Sequence, residues 1–128
     1  MAGFRTPLSQ ARGLGAAKHG AAEWIASGMA VIALVPLCLW VAYGVLRLAS
    51  LDYYGAVAWI GRPVNATLMI LTLILSFWHM HHGLRVVIED YVHERLGKLS
   101  LLLINLIVSG LAGALAVFSV LKVALGSV

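Results

Sequence analysis

Three long apolar runs organise this chain, from about Ile25 to Leu48, about Val64 to Ile88 and about Leu99 to Leu125, with polar or aromatic segments between them. Each reaches the ~20 helical residues needed to cross a hydrocarbon core of ~30 Å. A lipid core offers backbone amides no water, so these runs are predicted to be helices that satisfy their own hydrogen bonds. The fold expected is an all-α membrane protein with three transmembrane helices. Met1 to Glu23 would form an N-terminal arm, broken by Pro7, Gly13, Gly15 and Gly20, and residues 24–128 the three-helix transmembrane domain.

Punctuation within the runs refines this. Pro36 removes one backbone hydrogen bond from the first span and can kink it without ending it. Trp24 at its start and Trp40 and Tyr43 toward its end suit the two interfaces, and Arg47 can snorkel outward. Cys38, the single cysteine, sits inside an apolar run and is expected to be a packed, inert thiol. The connection from Ser50 to Pro63, with Asp52, Tyr53, Tyr54 and Trp59, is expected to rest on the headgroup layer as an interfacial anchor. The second span starts after Pro63, with Asn65 placed to satisfy its first amides. In the third span, Ser109 with Gly113, Gly110 with Ala114 and Ala112 with Ala116 repeat small residues four apart, the spacing that lets another helix approach closely. Asn105 is a lone polar residue there, able to bond across helices and given no chemistry.

Composition strengthens the membrane reading. The chain is 62% hydrophobic and 11% charged, against roughly 25% charged in soluble domains. The net charge of +4 is scattered among the spans instead of forming one basic patch, so nucleic acid is not an expected partner. The basic residues report orientation instead. Arg5, Arg12 and Lys18 of the arm join Arg85, Arg95 and Lys98 after the second span, against Arg47, Arg62 and Lys122 on the other side. That asymmetry places the N-terminus in the cytoplasm. The first 23 residues lack an apolar core of signal-peptide type, so the first helix is expected to insert uncleaved. Three helices enclose little interior of their own, which favours a hydrophobic partner subunit.

Chemistry concentrates in Phe77 to Arg95, FWHMHHGLRVVIEDYVHER. At 100° per residue His79, Gly83, Val86 and Asp90 share one helical stripe. An imidazole nitrogen is a good axial ligand for haem iron, and a glycine one turn away leaves room for a macrocycle. On this geometry His79 stands only slightly ahead of His82, 60° away, while His81 points elsewhere. A polar interhelical contact is the structural alternative for any of them. Zinc would need further ligands that no cysteine or nearby carboxylate supplies. Asp90 and Tyr91 fall at the cytoplasmic boundary, where a phenol can donate to a quinone carbonyl and an acid can orient a base or relay protons. A merely solvated helix end is the alternative. No phosphate loop, nucleophile with a base, or cysteine cluster is present, so the chain is not expected to complete a reaction alone.

His79, Gly83 and the Asp90-Tyr91 pair, spaced H-x3-G-x6-D-Y, resemble the second helix of the hydrophobic membrane anchor subunit of succinate dehydrogenase, respiratory complex II. The stretches RTPLSQARGLGAAKHGAAEW, AVIALVPLCLW and IEDYVHE extend the resemblance over most of the chain. It implies that His79 is an axial ligand of a b-type haem, with Gly83 beside it and the second ligand from a companion cytochrome b subunit. It also implies that Tyr91, supported by Asp90, binds ubiquinone near the iron–sulfur subunit. The chain would then anchor the iron–sulfur and flavoprotein subunits to the bacterial inner membrane and help pass electrons from succinate to ubiquinone. One departure stands out: many bacterial relatives begin the first helix with an arginine able to approach a haem propionate, whereas here the stretch reads Ser27-Gly28-Met29-Ala30. Arg12, Lys18 or a partner residue would have to compensate. Two rivals are a haem-free membrane tether and a small proton-coupled transporter, the latter disfavoured by the lack of an inverted repeat or a mid-membrane carboxylate.

Overall fold

The computed structural model describes residues 6–8 and 20–126, and among these it contains four helices and no strand. They are α1 (Gly20–Ala49), α2 (Tyr53–Ile60), α3 (Pro63–Tyr91) and α4 (Arg95–Ala124). Helices α1, α3 and α4 run for 30, 29 and 30 residues, about 45 Å each at 1.5 Å per residue. All three are long and apolar enough to cross a membrane, as the pattern predicts. The protein is a multi-pass membrane protein. Gly20 does not break the chain but opens α1, where Glu23 lies in the first turn and complements the amino-terminal dipole. Arg5, Arg12 and Lys18 lie outside the described residues.

The chain boundaries follow from local chemistry. Asp52 caps α2 by accepting from the Gly55 amide at 2.9 Å. Pro63 occupies the first turn of α3, where its missing N–H costs no intrahelical bond. Asn65 does not cap that helix. Its Nδ2 donates backward to the Trp59 carbonyl at 2.8 Å, tying the start of α3 to the end of α2.

The aromatic connection also departs from expectation. Tyr53 and Tyr54 are exposed, as an interfacial anchor should be, but Trp59 is only 6% exposed. Its indole stacks on Trp40 at 5.8 Å and 17° and covers Gly44, where a Cβ would come within 3.1 Å of the ring. The glycine opens the slot, and burial of a large ring fills it. Trp59 therefore belongs to the core.

Helix α3 occupies the centre, with α4 making the most extensive contact and α1 packing on another side. The short α2 closes the ends of α3 and α4. As the small-residue spacing predicts, Gly113 lets α4 approach α3 closely, and a Cβ there would stand 3.3 Å from Phe77 Cβ. On α1 the buried residues are Ala30, Leu37 and Gly44, one narrow stripe at seven-residue spacing. Cys38 is turned about 100° from Leu37. It is accordingly exposed, not packed. Little else is buried: Ile32, Leu46, Leu96 and Phe118 are all largely exposed, an apolar surface of the kind that lipid or another apolar protein face covers.

Candidate functional site on the outer face of α3

The predicted stripe on α3 exists and faces outward. His79, Gly83, Val86 and Asp90 are all exposed, on the side of α3 not covered by α1 or α4. His79 makes no hydrogen bond or ring contact with any described residue. A Cβ added at Gly83 would meet nothing within 4 Å. The result is an unengaged imidazole beside open space, rising about 6 Å to the next turn.

The neighbouring histidines are differently placed. His82 is half-buried, its ring stacked on Trp78 at 5.6 Å and 12°. His81 faces α4, lining with Phe77, Trp78, Ser109 and Gly113 an open cavity of about 530 Å³, and its Nδ1 is buried without a hydrogen-bond partner. Three neighbouring imidazoles thus have three environments, and of these His79 is the exposed one. Among the described residues no three His, Cys, Asp or Glu side chains gather to hold a metal ion.

Depth separates the two halves of the stripe. With α3 centred in the hydrocarbon, His79 lies ~3 Å from the midplane, whereas Asp90 and Tyr91 lie ~20 Å from it, beyond the ~15 Å half-thickness. Tyr91, the last residue of α3, is 79% exposed. Glu89 gathers the local cations: Arg85 Nε donates to its carboxylate at 2.9 Å and Lys98 Nζ to its carbonyl at 3.2 Å. Asp90 and Tyr91 have no such partner among the described residues. A carboxylate at a helix C-terminus is opposed by the macrodipole, and Asp90 is left exposed to whatever lies outside this chain.

The sequence profile of the succinate dehydrogenase/fumarate reductase transmembrane subunits matches residues 3–121. The chain belongs to this family. Three relatives of this transmembrane subunit carry the name succinate dehydrogenase hydrophobic membrane anchor subunit. The one from Rickettsia bellii is 33% identical over 89 residues, covering 70% of this chain and 71% of its own. That from Rickettsia conorii is 29% identical over 119 residues, 90% and 94% of the two chains. That from Paracoccus denitrificans is 28% identical over 125 residues, 98% and 96%. No solved structure gives a significant match. The resemblance carried by the His79, Gly83 and Asp90-Tyr91 motif is therefore borne out at the level of the family.

Two features of the transmembrane subunit were not among the expectations from sequence. The Trp78–His82 stack and the Arg85–Glu89 pair both have the four-residue spacing that brings helical side chains together. That signal was legible. The second is a link from Asn105 to the His81 backbone, across 24 residues, and no local spacing announces it.

Proposed function

We propose that this subunit is the hydrophobic anchor of a bacterial succinate dehydrogenase, contributing half of a b-type haem site and part of a ubiquinone-reduction site. The observation that carries the reading is the outward stripe: His79 unpartnered, with open space at Gly83. A macrocycle needs one free nitrogen and a face without side chains, and this surface offers both. The second ligand and the opposite wall would come from a companion cytochrome b subunit. The exposed apolar faces of α1 and α4 are consistent with that arrangement and with lipid. When bound, the haem supplies a one-electron carrier inside the membrane.

The residues of this chain perform simple tasks. His79 would present an imidazole nitrogen to the haem iron, and Gly83 would keep the adjacent turn clear. Tyr91, at the headgroup level, donates its phenolic O–H to a quinone carbonyl, and the donor orients the headgroup and stabilises negative charge on the oxygen as it is reduced. Asp90, opposed by the helix dipole, attracts a cation or proton to the same place. Quinone reduction takes up two electrons and two protons, so a proton-attracting charge beside the carbonyl serves it directly. The iron–sulfur and flavoprotein subunits would dock on this cytoplasmic end, where the N-terminus, Arg85, Arg95 and Lys98 lie under the positive-inside orientation. The membrane is then the bacterial inner membrane.

The test is a reduced-minus-oxidised spectrum of the complex purified through this subunit, beside its His79→Ala variant. A six-coordinate b-haem spectrum lost or altered in the variant is the expected result. Haem content and spectrum unchanged by His79→Ala would remove the ligand assignment, and a haem-free complex would leave a membrane tether.

A further inference from the structure

The described chain buries two polar side chains, Asn105 at 7% and Ser109 at 6% exposure, and both lie on α4 against α3. Asn105 Nδ2 donates to the carbonyl oxygen of His81 at 3.0 Å. Ser109 Oγ donates to Asn105 Oδ1 at 3.1 Å. Both ends of the amide are therefore engaged, which fixes its orientation. His81 and Asn105 each stand ten residues from the turn joining their helices, about 15 Å along the helix axis.

Such a bond matters more for register than its strength implies. Between transmembrane helices, apolar contacts discriminate poorly among registers, because lipid tails are as apolar as the side chains they replace. The helices meet closely at Phe77 and Gly113, one turn away, but packing is looser beside His81 itself. The cavity of about 530 Å³ beside Phe77, Trp78 and His81 leaves that side of the helix room to turn. Besides the exposed Lys98–Glu89 bond near the turn, the Asn105 link is a directional contact between the two helices, and it lies deeper, at the level of the histidines.

His81 and His79 are two residues apart and lie on nearly opposite sides of α3. Holding the His81 backbone against α4 therefore sets the direction in which His79 projects. A rotation of about 20° carries a side-chain tip at a radius of 5–6 Å through about 2 Å. Metal–ligand distances tolerate only about 0.2 Å. Rotation of that size is decisive for axial ligation.

We propose that Asn105, oriented by Ser109, is a positioning residue for His79, fixing the rotation and depth at which the imidazole meets haem iron. The proposal rests on the haem reading of His79. It assigns a task to a residue that touches neither haem nor quinone.

The experiment uses the purified complex carrying Asn105→Leu, Ser109→Ala or His79→Ala, with Val120→Ala as a packing control. Val120 is buried on α4 but far along the helix from His79. The readouts are haem per complex and the low-spin ferric haem signal in electron paramagnetic resonance. Asn105→Leu is expected to weaken haem retention about threefold, the factor a typical interhelical hydrogen bond in a membrane is worth, and to shift and broaden the resonance. Ser109→Ala, which keeps the donor but frees the amide, is expected to broaden the resonance with haem retained. Should Asn105→Leu fail to assemble, Ser109→Ala carries the test alone. Unchanged resonances in the polar variants, or the same shift in Val120→Ala, overturn the positioning role. If His79→Ala keeps its haem and spectrum, the ligand reading itself fails, an outcome separate from loss in His79→Ala with no effect at Asn105.

Discussion

Replacing Gly83 by leucine separates what α3 needs for its own fold from what it offers to an external group. Within the chain the new side chain starts in open space, because a Cβ at Gly83 meets nothing within 4 Å. The helix should gain, since glycine in a helix interior is about 0.8–1.0 kcal/mol worse than alanine and leucine is nearly as good a helix former. The same side chain enters the open space one turn from His79. Forcing extra methylene groups into a filled site costs about 1–3 kcal/mol, which converts to a loss of haem affinity of roughly 5- to 150-fold. The assay is haem per purified complex, with complex yield and thermal stability measured in parallel. Gly113→Leu is the contrasting variant. A Cβ there would stand 3.3 Å from Phe77, so it should lower yield and stability by separating α3 from α4. Full haem occupancy in Gly83→Leu, from a preparation in which His79→Ala loses haem, would refute the claim that Gly83 keeps the macrocycle's space clear. A loss of yield in Gly83→Leu without a partner subunit present would refute the claim that this space is external to the fold.

Two further outcomes follow from the same geometry. Tyr91→Phe should raise the KM for ubiquinone about 2- to 12-fold, corresponding to one hydrogen bond of net 0.5–1.5 kcal/mol, while succinate oxidation with a soluble acceptor stays unchanged; equal effects on both assays would place the residue outside the quinone site. Trp59→Ala, which empties the slot between Gly44 and Trp40, should destabilise the subunit by about 3–5 kcal/mol, seen as a lower thermal midpoint of the detergent-solubilised complex, and an unchanged midpoint would show that the indole is not a core element.

The sequence alone determined the number and type of the membrane-crossing elements, because hydrocarbon imposes a constraint that length and apolarity must answer, whereas the short helix α2 was expected only as a connection. Three runs longer than a membrane is thick, few charges and proline at a helix start were enough for α1, α3 and α4. The stripe of His79, Gly83, Val86 and Asp90 was equally legible, since helical periodicity fixes which residues share a face. Periodicity does not say which face is covered. Only the packing of α1 and α4 around α3 left His79 free while turning His81 inward and setting His82 against Trp78. Trp59 shows the same limit from the other side: its composition suits an interface, yet Gly44 and Trp40, distant in sequence, give it a buried place. Asn105 is the sharpest case. A lone asparagine in an apolar run announces a polar contact, but its partner is a backbone carbonyl, which any residue carries and no sequence marks. Local chemistry fixed the helices and their faces, and the long-range approach of one helix to another decided which groups remained free to act.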